Sequence, residues 1–241
     1  MSGEGMRSLY FRQLLAGRDF ATANAAAAQM VNFCYLIGDR TAGSCLVVDP
    51  AWDVEGLLAV AAADGMTVEG ALVTHYHPDH VGGDLFGLQI EGLARLQELQ
   101  GMPVHCNRHE AYGIRVVTEL SESDLTLHEA GDVIQIGEAR IELVHTPGHT
   151  PGSQCFLVDG MLVSGDTLFV GGCGRVDLPG SDPEEMYRTL TQRLAKLPAE
   201  TILYPGHHYG PSPTSTLAIE RRQNYSLQPR SVEEWMGLMN G

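Results

Sequence analysis

Lysine is almost missing from this chain: Lys196 is the only one, and fifteen basic side chains stand against thirty acidic ones, a net charge of −15. A nucleic-acid binder needs a basic face to neutralise phosphates, so no nucleic-acid partner is expected. Long apolar runs are missing too. None approaches the roughly 20 residues that cross a bilayer core, so no membrane partner is expected either. The N-terminal stretch carries Arg7, Arg12 and Asp19, without the apolar core or cleavage pattern of a secretory signal, and a cytoplasmic location is the expectation. The five cysteines, Cys34, Cys45, Cys106, Cys155 and Cys173, are scattered and form no C-x-x-C pair. That excludes a disulfide framework and a cysteine zinc site, and leaves them as small buried hydrophobes. Cys173 sits in a glycine-rich loop, but nothing beside it marks a nucleophile. No low-complexity linker divides the chain, so residues 1–241 read as one domain with a short helical tail at about 215–241.

What is present alternates between two periods. Asn32–Ile37 and Ser44–Val48 are apolar runs around a Gly-Asp-Arg-Thr-Ala-Gly turn, a hairpin signal within a first fifty residues that read as short strands. Val54–Asp64 has a helical period, and Val68–Val73 is a short apolar strand. Gly92–Gly101 reads as a helix with Leu93, Leu96 and Leu99 on one stripe, Val104–Asn107 as a strand and His109–Val116 as a short helix. The second half repeats the logic. Asp132–Ile136 and Ile141–His145 are strands around Gly137, and Gln154–Val158 and Met161–Ser164 pair through Asp159-Gly160. Asp182–Leu197 is a capped helix, Thr201–Tyr204 a last core strand, and Ser215–Asn224 and Ser231–Met239 are helical. Strand blocks alternating with helices in two similar halves predict a layered α/β body.

One strand ends in Thr74-His75-Tyr76-His77-Pro78-Asp79-His80. Histidines two apart on an extended segment point the same way, so His75 and His77 can grip one ion. Asp79 and His80 lie past the strand end and can face a second position. Chance placement of histidines in a polar loop is a poor account of four such residues in so short a run. One short run rarely completes a metal's coordination. Three later residues share its context, a strand end beside a Pro-Gly or Ser-Gly turn: His149 in Thr146-Pro147-Gly148-His149, Asp166 in Ser164-Gly165-Asp166, and His207 in Tyr204-Pro205-Gly206-His207. Five nitrogen and two carboxylate donors suit zinc, iron or manganese rather than calcium.

With these residues in place, the sequence resembles the metallo-β-lactamase superfamily over roughly residues 8–227. The resemblance implies an αββα sandwich with the site at one edge. It also implies a first metal on His75, His77 and His149, a second on Asp79, His80 and His207, and Asp166 as the bridge. The loop Gly165-Asp166-Thr167-Leu168-Phe169-Val170-Gly171-Gly172-Cys173-Gly174-Arg175 is similar to that of the glyoxalase II (hydroxyacylglutathione hydrolase) and persulfide dioxygenase group. Arg175-Val176-Asp177 leans toward the dioxygenases and short bacterial relatives. An aspartate at position 166, where β-lactamases of the commonest zinc class carry cysteine, speaks against antibiotic hydrolysis. The long glyoxalase II enzymes carry a helical C-terminal domain that helps bind glutathione. The stretch after His207 is too short to match it, which counts against glutathione as the thiol carrier.

The resemblance therefore implies a metallo-hydrolase that cleaves a thioester of a small thiol with a metal-activated water. Asp79 is the catalytic residue that orients that water, and Arg175 and Tyr209 contact substrate. Two zinc ions are the expected cofactors. The alternative is a persulfide dioxygenase with one iron held by the residues matching His75, His149 and Asp166; mixed zinc, iron or manganese loading is also compatible. A phosphodiesterase lacks its basic surface here, and a non-catalytic metal module has no use for the full donor set. The expected partner is a small-molecule thiol derivative, and a homodimer is left open. His145 is expected to be structural, His208 to point away from the site, and His105, His109 and His128 to be surface or satisfied histidines. Tyr76 is read equally as pocket wall or packing, and the stretch Phe86–Leu99 as core before pocket wall.

Overall fold

The computed structural model describes residues 8–239. Its first sheet holds six strands in sequence order: Leu9–Leu15 (β1), Phe33–Asp39 (β2), Ser44–Val48 (β3), Thr67–Leu72 (β4), Val104–Asn107 (β5) and Leu125–His128 (β6). The second holds Val133–Ile136 (β7), Ala139–His145 (β8), Gln154–Val158 (β9), Met161–Gly165 (β10), Ile202–Pro205 (β11) and Ser215–Thr216 (β12), also in order. In each sheet hairpins give antiparallel neighbours and helical crossovers give parallel ones: β3, β4, β5 and β6 run parallel, as do β10 and β11. The helices are Ala25–Met30 (α1), Val54–Ala63 (α2), Pro78–Val81 (α3), Leu93–Gln100 (α4), Ala111–Thr118 (α5), Pro183–Arg188 (α6), Leu217–Gln223 (α7) and Val232–Met239 (α8).

Three apolar interfaces make four layers. Phe33, Tyr35, Ile37, Val48 and Leu72 of the first sheet meet Ile141, Leu143, Phe156 and Val163 of the second. The alternate residues Cys34, Leu36 and Val47 face outward onto Leu57, Ala61, Leu93, Leu96 and Ile114 of the helices. Cys155, Leu162 and Leu203 face the opposite way, onto Met186, Leu190, Leu217 and Trp235. Every residue of β2 and β3 is buried, which is why both read as continuous apolar runs rather than alternating ones. The architecture is the αββα sandwich. The tail packs on the outer face of the second sheet, where the buried Trp235 Nε1–H donates to Ser226 O at 2.9 Å. No helix among the described residues is long and apolar enough to cross a membrane.

Some local expectations shift. The first fifty residues contain a helix, α1, capped by Asn24 Oδ1, which accepts from Ala26 N and Ala27 N. The helix expected at His109–Val116 starts two residues later, after Glu110. Leu99 leaves the stripe of α4 for solvent, while Leu93 and Leu96 are fully buried. Ser215–Thr216 is a strand, and Thr216 caps the helix behind it. The segment Asp182–Leu197 is helical but changes pitch: an α-turn to Arg188, a wide π-turn over Thr189–Arg193 and a tight turn over Leu194–Lys196. Thr189 sits at the change, its buried hydroxyl donating to Pro147 O at 2.7 Å and accepting from Arg193 Nη1 at 2.8 Å. Tertiary hydrogen bonds of this kind support the helix where its own ladder widens.

Candidate metal centre

All seven histidines and aspartates singled out above converge at one edge of the sandwich, where β4, β8, β10 and β11 end. Backbone bonds join the loops that carry them: Gln154 N to Thr74 O at 2.9 Å, Gly206 N to Gly165 O at 2.9 Å, and Phe33 N to Gly206 O at 2.7 Å. Chain segments far apart in sequence are thereby fixed to one another without help from the site itself.

The side chains form two clusters of potential ligand atoms: His75, His77 and His149, and Asp79, His80 and His207. In the first, His149 Nε2 lies 2.9 Å from His77 Nδ1. In the second, His80 Nε2 lies 3.2 Å from His207 Nε2, and His207 Nε2 lies 3.4 Å from Asp79 Oδ2. Asp166 stands between them. Its Oδ1 is 3.3 Å from His80 Nε2 and 3.4 Å from His207 Nε2, while Oδ2 is 3.7 Å from His149 Nε2. Two buried atoms in this group have no hydrogen-bond partner, His75 Nε2 and Asp166 Oδ1. Buried polar atoms without partners are rare and costly. Such atoms among converging imidazoles, His75 Nε2 in the first cluster and Asp166 Oδ1 beside the second, are what metal ions satisfy, so the donor set fits a metal.

The tautomers agree. His149 Nδ1–H donates to Arg175 O at 2.7 Å and His207 Nδ1–H to Met30 O at 2.9 Å, since a carbonyl can only accept. His80 Nδ1 lies 2.9 Å from Asp49 Oδ2. Holding one ring nitrogen leaves the other free as a ligand. Burial, then the neighbouring His80, His149 and His77, drives His75 well below the ordinary imidazole range. Burial and His149 bring His77 to about 4, and burial also lowers His149. The first cluster is thus uncharged, the form that binds metal. In the second, burial opposes charge, but Asp79, Asp166 and Asp49 hold His80 well above its usual range. Burial opposes charge on His207 too, and Asp166 and Asp79 raise it to about 9. Burial would raise Asp166, yet His207 and His80 hold it well below the usual carboxylate range.

Sequence reading missed the residues that hold these ligands. Asp49, 3% exposed and close enough to join a cluster with His75 and His80, accepts from Thr74 N at 2.8 Å and Thr74 Oγ1 at 2.6 Å besides its contact with His80. With its oxygens already engaged, it orients His80 rather than ligating. Asn32 Nδ2 donates to Asp79 Oδ2 at 3.1 Å, and its Oδ1 accepts from Trp52 Nε1 at 3.1 Å. Glu110, fully buried, ties the two ligand loops together by accepting from Tyr76 N, Thr150 Oγ1 and Gly152 N. Burial pushes its carboxyl up to about 7. Two glycines admit the ligands: a Cβ on Gly206 would lie 2.5 Å from Asp166 Oδ1, and one on Gly174 would lie 1.9 Å from Asp166 O.

The remaining histidines lie outside the clusters. His145 Nε2 is bonded to Pro151 O at 3.0 Å and its ring stacks on His109, so it braces the His149 loop. His208 packs on Phe33, and His105 pairs with His128 at 2.9 Å. The clusters form the floor of a cavity of about 810 Å³ that Tyr76, Phe86, Arg175 and Tyr209 also line. Tyr76 both walls it and packs, donating to Pro179 O at 3.1 Å with its ring against Gly113. Tyr209 stacks on His207 with ring centroids 4.5 Å apart. Arg175 stands at the cavity wall, but Asp177 takes its fork: Nε to Oδ1 at 2.9 Å and Nη2 to Oδ2 at 2.8 Å. Cys173 is buried, and burial pushes its thiol up to about 11, so it stays a protonated thiol.

Comparison with known proteins matches this geometry. Residues 29–207 fit the sequence pattern of the metallo-beta-lactamase superfamily. The chain is 36% identical to a hydroxyacylglutathione hydrolase of Rhodospirillum rubrum, over 84% of this chain and 72% of that one. It is 31% identical to the mitochondrial persulfide dioxygenase ETHE1 of Homo sapiens, over 86% of this chain and 75% of that one. Its fold superposes on the crystal structure of ETHE1 from Myxococcus xanthus with a TM-score of 0.77 at 27% identity, covering 96% of this chain and 90% of that one. The chain belongs to the metallo-β-lactamase superfamily.

Proposed function

We propose that the chain is a thioester hydrolase that binds two zinc ions and acts on a thioester of a small thiol. The observation that carries this reading is Asp166, whose two oxygens face different clusters. In this reading His75, His77 and His149 would hold one ion and Asp79, His80 and His207 the other, with Asp166 placed to serve both. Bound there, such a pair supplies an acidified water and polarises the thioester carbonyl.

The protein's own groups do the rest. Asn32 holds the Asp79 carboxylate so that it faces the cavity floor and orients the attacking water. The water oxygen bonds to the carbonyl carbon and the C–S bond breaks. The proton released by the water passes through Asp79 to the departing sulfur, giving a carboxylic acid and a thiol. Arg175 and Tyr209 contact the substrate at the cavity wall.

The similarity to a persulfide dioxygenase favours one second reading, a single iron on His75, His149 and Asp166 with oxygen as co-substrate. One experiment separates them. Zinc-loaded protein is assayed for thiol release from acyl thioesters without oxygen, and iron-loaded protein for oxygen uptake with a thiol persulfide. The expected result is anaerobic thiol release and no oxygen uptake; the reverse pattern establishes the dioxygenase.

A further inference from the structure

The cavity wall above the metal centre is apolar. Met30, Leu85, Phe86, Val170, Leu178 and Tyr225 line it. Among the described residues that line it, Arg175 is the one cationic side chain other than the histidines of the floor. The bidentate contact with Asp177, an exposed neighbour two residues on, offsets that charge. Counterions screen the protein's net −15 beyond about 8 Å at physiological salt, so this local pair decides what the wall presents to a ligand. Breaking an exposed ion pair costs little. It leaves Asp177 beside any carboxylate that replaces it on Arg175, so an anionic ligand gains no net attraction.

The rim repeats the theme. The ring of Phe86 is 99% exposed at the tip of the small ribbon Gly83–Leu85/Leu88–Ile90. Its φ of 54° is a left-handed conformation that an aromatic residue rarely adopts. Gly87 N donates to Asp84 Oδ1 at 3.0 Å and closes the turn around it. An aromatic ring held in water at a cavity mouth gains by being covered with apolar surface.

We infer that the cavity selects a thioester whose acyl group and thiol arm are apolar and free of carboxylates, and that Asp177 is the specificity-determining residue that turns anionic thiols away. The inference rests on the thioester-hydrolase reading for the reaction, but the preference itself is a binding property. A glutathione conjugate, with two carboxylates and one ammonium, is the ligand it disfavours.

The test uses two unreactive thioethers that share one apolar group, S-hexyl-N-acetylcysteamine and S-hexylglutathione, titrated calorimetrically into the zinc-loaded protein. The uncharged ligand is expected to bind at least tenfold more tightly. Asp177→Asn, which unmasks Arg175, is expected to narrow that gap at least threefold by strengthening the glutathione conjugate. Tighter binding of S-hexylglutathione by the unsubstituted protein overturns the inference, and an unchanged gap in the variant overturns the role of Asp177. Turnover is measured alongside, with hexanoyl-N-acetylcysteamine and S-lactoylglutathione. If neither is hydrolysed while the binding order holds, the hydrolase reading fails and the preference stands. If both are hydrolysed with the glutathione thioester preferred, the preference fails and the hydrolase reading stands.

Discussion

Replacing Asp166 with alanine is expected to abolish turnover and metal loading together. The residue follows β10 directly, and its oxygens lie within 3.7 Å of ring nitrogens from both clusters. Without it, each cluster loses a donor. Transition-state stabilisation by a bound metal is worth several kcal/mol, so its loss corresponds to about a thousandfold or more in rate. Metal content by mass spectrometry should fall by at least one ion per chain. Asp166→Asn, which keeps shape but not charge, controls for collapse of the site, and near-normal melting in it assigns the loss to the ligand. Wild-type metal content and turnover in the alanine variant would remove Asp166 from the centre.

Asp49 should have the largest effect of any residue that does not face the ligand clusters with a free oxygen. It is buried with a φ of 51°, a conformation that Asp and Asn tolerate far better than most residues. Its carboxylate holds His80 at 2.9 Å and both polar groups of Thr74, the residue that precedes the first ligand. Outer partners of this kind are worth roughly 10- to 100-fold in metal affinity. Asp49→Asn should therefore weaken zinc binding by about that factor while the fold persists. Asp49→Ala should add a loss of about 3–5 kcal/mol, because three buried donors lose an acceptor at once. Competition with a chromogenic chelator measures the first effect and denaturant unfolding of the metal-free protein the second. An asparagine variant with unchanged zinc affinity would show that His80 does not depend on Asp49 for its orientation.

The candidate ligand residues were legible in the sequence because each is a chemically distinctive side chain at a strand end beside a glycine or proline turn. That context survives without knowledge of the fold. The supports were not legible. Asn32, Asp49 and Glu110 lie 47, 31 and 40 positions from Asp79, His80 and Thr150, the partners they hold, and each looks like an ordinary polar residue in its own neighbourhood. The carbonyls of Met30 and Arg175 fix two imidazoles and carry no side-chain signal at all. Arg175 illustrates a signal present but unread. Asp177 is two residues on, the spacing that puts both side chains on one side of an extended segment, and the structure pairs them.

The layered fold was readable from the alternation of periods, and its local deviations trace to tertiary bonds. The helix from Asp182 widens where Thr189 reaches Pro147, and a helical period cannot announce a partner 42 residues away. The short strand β6 is half exposed, so its pattern is weak, and it is defined by pairing with β5.

Two clusters joined by Asp166 are proposed to hold two ions that support thioester hydrolysis. Metal analysis of protein purified without added metal tests this most directly, with thiol release measured on the same sample. Two zinc ions per chain are expected, with hydrolysis that a chelator abolishes and zinc restores. One iron per chain, with no thioester cleavage and oxygen uptake on a persulfide, would contradict the proposal.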